Sequence, residues 1–174
     1  MKTLTLVTAS VLALATASAF AEERIRTRMT GYQEVPSVST AAAGEFEVKI
    51  HPDGQAFDWV LSYSGLQGDV LQAHIHFAQR SVNGAIVVWL CGSAANPGPA
   101  GTPACPQSGT VSGTAMAGDV GPGAPTQQLT AGEIGEVIAA MRAGVAYANV
   151  HTTLSPGGEI RGQIGRGGRG RGHR

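Results

Sequence analysis

The sequence predicts a mainly β domain, a Greek-key-like β-sandwich or partly closed barrel, with one amphipathic helix at about residues 130–143. Three observations carry that class. Seven short runs alternate along the chain with the period of a strand and are rich in β-branched or aromatic side chains. Turn formers separate them, as in "HPDGQ". A single segment shifts to the period of a helix. Many short strands with regular turn signals are the pattern of a sandwich or barrel.

The strands follow in order. "EFEVKI" spans Glu45 to Ile50 and "AFDWVLSYSGL" spans Ala56 to Leu66. In "VLQAHIHFA", Val70 to Ala78, alternation puts Leu71, Ala73, Ile75 and Phe77 on one face and Gln72, His74 and His76 on the other. "AIVVWLC" runs from Ala85 to Cys91 and "SGTVSGTAM" from Ser108 to Met116. Trp59 and Trp89 fall within strand patterns, where core packing is the expectation. In "LTAGEIGEVIAAMRAG", Thr130 and Glu133 have the spacing of a capping box, and Ile134, Val137, Ile138 and Met141 share one helical face. Gly144 stands where a C-terminal cap belongs, and glycines at 132 and 135 make the helix dependent on packing. The last strands, "GVAYANVHT" (Gly144 to Thr152) and "EIRGQI" (Glu159 to Ile164), form a hairpin around "TLSPGG". With Thr152 near Gly158, His151 lies opposite Glu159, Asn149 opposite Arg161 and Tyr147 opposite Gln163. That face is polar, and a slip of one residue would scatter it.

The first residues combine Lys2, an apolar run around Leu4 to Leu14, and small residues at Ala19 and Ala21. This is the pattern of a signal peptide, residues 1–21, cleaved after Ala21, and it implies a secreted or periplasmic protein with no transmembrane anchor. About 150 residues then remain for one domain, 22–165. The chain carries 12 basic and 12 acidic residues. Lys2 sits in the leader and Arg166, Arg169, Arg171 and Arg174 in the tail, so the domain keeps Arg24, Arg26, Arg28, Lys49, Arg80, Arg142 and Arg161 against all the acids. The tail, 166–174, is Gly/Arg low complexity and is expected to be disordered and able to touch anionic surfaces. Specific nucleic-acid binding is not expected of an exported chain. The two cysteines, Cys91 and Cys105, are expected to pair in an oxidising compartment and close a Pro/Gly-rich loop.

Three segments, "GYQEVPSVSTAAAGEFEV", "AHIHFAQRSVNGAIVVWL" and "YANVHTTLSPGGEIRGQI", in this order and spacing, resemble the chordin domain (CHRD) family, single-domain secreted bacterial type. The resemblance runs from about Arg28 to Ile164. It implies a secreted domain of poorly defined biochemical role, carries no catalytic mechanism, and leaves the Arg/Gly tail outside the domain.

His74 and His76 share a strand face, and His151 lies on a late strand that can reach them. Three imidazoles suit copper or zinc, with Glu159 as an acceptor able to orient His151, and Arg161 and Asn149 in the surrounding polar layer. The same residues can instead form a hydrogen-bonded layer that fixes register, with Arg161 paired to Glu159 or Glu34. A third reading is a copper enzyme like superoxide dismutase, which also joins an H-x-H strand pair to a distant His. That is an analogy of architecture, in which Arg161 would steer an anion. No hydrolase elbow is present. An enzyme is the less expected outcome and no catalytic residue is nominated. The non-metal alternative is a module that binds a protein or polysaccharide partner through its loops. His51 and His173 are expected to be surface residues.

Overall fold

The computed structural model describes residues 22–165. The expected signal peptide and the Arg/Gly tail lie outside the described residues.

Eight strands form one antiparallel sheet: β1 (Glu23–Thr30), β2 (Ala43–Ile50), β3 (Ala56–Ser64), β4 (Val70–Phe77), β5 (Ala85–Gly92), β6 (Gly109–Met116), β7 (Ala146–Thr152) and β8 (Ile160–Ile164). Their order is β5-β4-β7-β8-β1-β2-β3-β6. The sheet curls until its edge strands β5 and β6 approach, so a partly closed barrel is the form realised. A bridge between Val88 and Val120, another between Gly92 and Ala104, and the Cys91–Cys105 disulfide tie β5 to the segments flanking β6. Around this barrel β3 to β6 follow the order 3-6-5-4, which is the Greek-key arrangement.

Strand alternation sends one row of side chains inward. Phe46 pairs with Leu61, Val48 with Trp59 and Ile50 with Phe57. Ala73 pairs with Val150 and Ile75 with Ala148, and all of these are buried. Each large aliphatic or aromatic side chain so removed from water contributes about 1.5–3 kcal/mol. The helix α1 (Ile134–Ala143) packs Val137 and Ala140 beside Phe77, Val87, Leu129 and Ala146.

Two expectations change. β1, "ERIRTRMT", joins the seven expected strands: Arg24, Arg26 and Arg28 alternate with Ile25, Thr27 and Met29, and Ile25 and Met29 are buried. Its arginines are not an obstacle, because Arg24 and Arg26 pair with Glu47 on β2. The helix begins at Ile134, not near 130, because Gly132 has φ 89° and turns the chain away from helical geometry. Only half of the expected capping box forms: the Thr130 N–H donates to the Glu133 carboxylate at 2.6 Å, while no side chain caps the helix itself. Gly144 does end it, at φ 74°, donating its N–H to the Ala140 and Met141 carbonyls.

Every residue of β7 is buried, so both of its faces are covered. Ala148 and Val150 face the interior. Tyr147, Asn149 and His151 face outward, beneath the loops that follow β1, β4 and β7.

Candidate metal centre

The register of the three central strands assembles the site. β4 pairs with β7 so that His74 meets Asn149 and His76 meets Tyr147. β7 pairs with β8 so that Asn149 meets Arg161 and Tyr147 meets Gln163. These rows lie on the outward face, where a polar layer is expected, and burial there demands partners for every polar group. His74 is 0% exposed, and His76 and His151 are each 6% exposed.

The three histidines converge. One ring nitrogen from each lies within 4.8 Å of the others, and among the described residues no Cys, Asp or Glu joins them. His74 Nδ1 is 3.2 Å from His151 Nε2. Two nitrogens bound to one ion at about 2.0–2.1 Å stand about 3.3 Å apart across a tetrahedral angle, so this edge already has ligand spacing.

Two backbone carbonyls fix the tautomers. His76 Nδ1 is 2.9 Å from the Gly84 carbonyl and His151 Nδ1 is 2.8 Å from the Pro156 carbonyl. A carbonyl only accepts, so both Nδ1 atoms carry the proton and both Nε2 atoms keep a lone pair. The contact between His74 and His151 then requires the proton on His74 Nδ1 when nothing else is bound. His74 Nε2 and His76 Nε2 are buried and make no hydrogen bond, nor do Glu34 Oε1 and Asn149 Oδ1. Each such orphaned lone pair costs about 1–3 kcal/mol. Ligating histidines in metal sites characteristically donate the other N–H to a carbonyl or carboxylate, which is what Gly84 and Pro156 provide.

Aromatic rings hold the imidazoles in place. His74 stands perpendicular to Trp89 with ring centroids 4.2 Å apart. Trp89 therefore covers the polar layer, and of the two tryptophans only Trp59 belongs to the core. His76 lies flat on Tyr147, centroids 4.7 Å apart, and the Arg161 guanidinium sits 3.4 Å from the centre of the same tyrosine ring. Burial pushes the His76 imidazole down to about 4, against the pull of the Gly84 carbonyl. His74 is pushed down by burial and then by the neighbouring His151 and His76, and His151 by burial against the Pro156 carbonyl. Burial thus favours the neutral, metal-ligating form of all three.

The remaining expected residues occupy distinct places. Glu159 does not orient His151. Its carboxylate accepts from the Thr40 and Thr152 hydroxyls and from the Gln67 and Gly68 N–H groups, stitching three loops together. Burial raises its pKa, but these bonds outweigh burial and hold it below the usual range. Arg161 is 1% exposed and cannot meet an incoming anion. Its donors go to the Gln79 and Val82 carbonyls, Asn83 Oδ1 and Gln163 Oε1, so it clasps the loop between β4 and β5. The carboxylate near Arg161 is Glu34, which burial pushes up to about 7 against the opposing influence of Arg161 and Asn149. Asn149 stands close to Glu34 and His76. Gly158, at φ 126°, leaves room for Glu34 and Asn149 where any Cβ would collide with both. His51 lies away from the cluster, 3.1 Å from Asp58. His173 lies outside the described residues.

Trp89 and the Gly84 and Pro156 carbonyls are the parts of the site that the sequence pattern does not nominate; Glu34, one of the two carboxylates expected near Arg161, is the one found there. The glycine after the "SPG" turn is the one signal that something must approach the backbone closely there. A cavity of about 630 Å³ lies between β5 and β6 and shares Trp89 with the cluster; Asp119 is its only charged lining residue. Among the described residues no helix is long and apolar enough to cross a membrane.

Residues 25–164 match the CHRD domain family. No curated protein and no solved structure shows significant similarity to the chain.

Proposed function

The chain belongs to the CHRD domain family, and we propose that its domain is exported and holds one transition-metal ion, copper or zinc, on His74, His76 and His151. The observation that carries this reading is the buried convergence of three neutral imidazoles, two of them fixed by the Gly84 and Pro156 carbonyls so that their bare nitrogens face the third. Without an ion, that arrangement leaves lone pairs stranded on His74 and His76. With an ion, the His76 Nε2 lone pair becomes a ligand beside His151 Nε2 and His74 Nδ1, the His74 proton moving to Nε2. The Cys91–Cys105 disulfide agrees with export to an oxidising compartment.

The test is calorimetric titration of the untagged, metal-stripped protein with copper and with zinc. The expected result is one ion per chain at micromolar affinity or tighter, lost in His76→Gln and in His151→Gln. Heat of binding unchanged in both variants, or absent from the parent, would leave the histidines as a structural layer.

A further inference from the structure

This inference rests on the metal-site reading and narrows it: we propose that the ion is copper(I) in preference to zinc(II). The donor set comes first. Among the described residues, the cluster offers three imidazoles and no carboxylate or thiolate. Zinc in proteins is almost always four-coordinate, completed by a fourth side chain or by a water molecule. Copper(I) is satisfied by three donors in a trigonal arrangement, and imidazole is among the donors copper accepts.

Enclosure points the same way. The His74 ring abuts Trp89, and the His76 ring lies on Tyr147 with only 3° between the planes. These contacts restrain the rings from opening toward a larger coordination sphere, and burial of all three residues leaves the cluster apart from bulk water. Charge also favours the monovalent ion. Arg161 on β8 and His76 on β4 flank Tyr147 on β7, so a fixed guanidinium charge lies one aromatic ring away from a ligand. The cost of burying an ion rises with its charge, and a neighbouring cation adds repulsion in proportion. A monovalent ion meets both penalties at their smallest.

The experiment is a chelator competition on the untagged full-length protein under anaerobic conditions. Copper(I) is supplied as its bathocuproine disulfonate complex, zinc(II) with a chromophoric zinc chelator, and tryptophan fluorescence measured in a Trp59→Phe background reports occupancy through Trp89 beside His74. We expect one copper(I) withdrawn per chain, with an affinity at least a hundredfold above that for zinc. His51→Ala and His173→Ala should keep that value, and His76→Gln should lose it. The parent comparison stands even where His76→Gln fails to fold. A zinc affinity within a hundredfold of copper(I), or above it, overturns the preference while leaving the metal site standing. Failure to bind either ion overturns both.

Discussion

Glu34→Gln isolates the cost of one buried carboxyl. Glu34 is 5% exposed, its Oε1 has no hydrogen-bond partner, and burial raises its pKa from the usual 4.5 to about 7. An acid whose pKa is raised in the folded state is favourable below its unfolded pKa and becomes a burden as pH rises through the folded one. The folded protein should therefore lose stability between about pH 4.5 and pH 7 through this group, and stay level above. At about 1.4 kcal/mol per unit, the shift amounts to roughly 3 kcal/mol. Glutamine copies the shape of the protonated acid and cannot ionise. Chemical denaturation of the metal-stripped parent and variant should give nearly equal stabilities at pH 4.5. At pH 8.5 the variant should be the more stable by about 3 kcal/mol. The opposite result at pH 8.5, with Gln destabilising, would show that Arg161 depends on an ionised Glu34 and that burial is not the dominant influence on this carboxyl.

Arg161→Gln should cost about 3 kcal/mol or more, because the Gln79 and Val82 carbonyls lose their donor inside a covered layer. Hydrogen exchange should then accelerate across residues 79–84 before it does in the barrel strands. Acidification should destabilise the metal-stripped protein through the histidines. His76 falls to about 4 on folding from an ordinary value near 6.5, so its contribution is present above pH 6.5 and is lost as pH falls toward 4. The loss is about 3 kcal/mol, measurable by denaturation at each pH and reduced in His76→Gln. Gly158→Ala should cost about 2–3 kcal/mol, since φ 126° strains an L residue and the new methyl meets Glu34 and Asn149. Thermal denaturation checks it, and a neutral outcome would place those side chains elsewhere.

The parts of the site that were legible in the sequence are those written in strand periodicity. "AHIH" puts two imidazoles on one face by period two alone, and the hairpin of "YANVHT" with "EIRGQI" pairs Asn149 with Arg161 and Tyr147 with Gln163, as the alternation requires. The face opposite, with Ala148, Val150, Ile160 and Ile164, is the barrel interior. What periodicity does not encode is how loops fold over a strand face. The ladder that would set Glu159 opposite His151 stops at Val150 and Ile160; the Glu159 N–H bonds to the Val150 carbonyl, and its carboxylate turns to the four donors of Thr40, Thr152, Gln67 and Gly68. The groups that do orient His76 and His151 are main-chain carbonyls of Gly84 and Pro156, which leave no mark in side-chain chemistry. β1 is obscured for a different reason. Its outward arginines make the segment look like a charged flank of the expected signal peptide, and only the partner residues Glu45 and Glu47 on β2 reveal it as a strand.

X-ray absorption at the metal edge of the loaded, untagged protein reads the three-histidine coordination itself. The expected spectrum has a first shell of three nitrogen donors at about 2.0 Å, with the outer-shell scattering of imidazole rings. A first shell of oxygen donors, or one with fewer than three imidazoles, would contradict it.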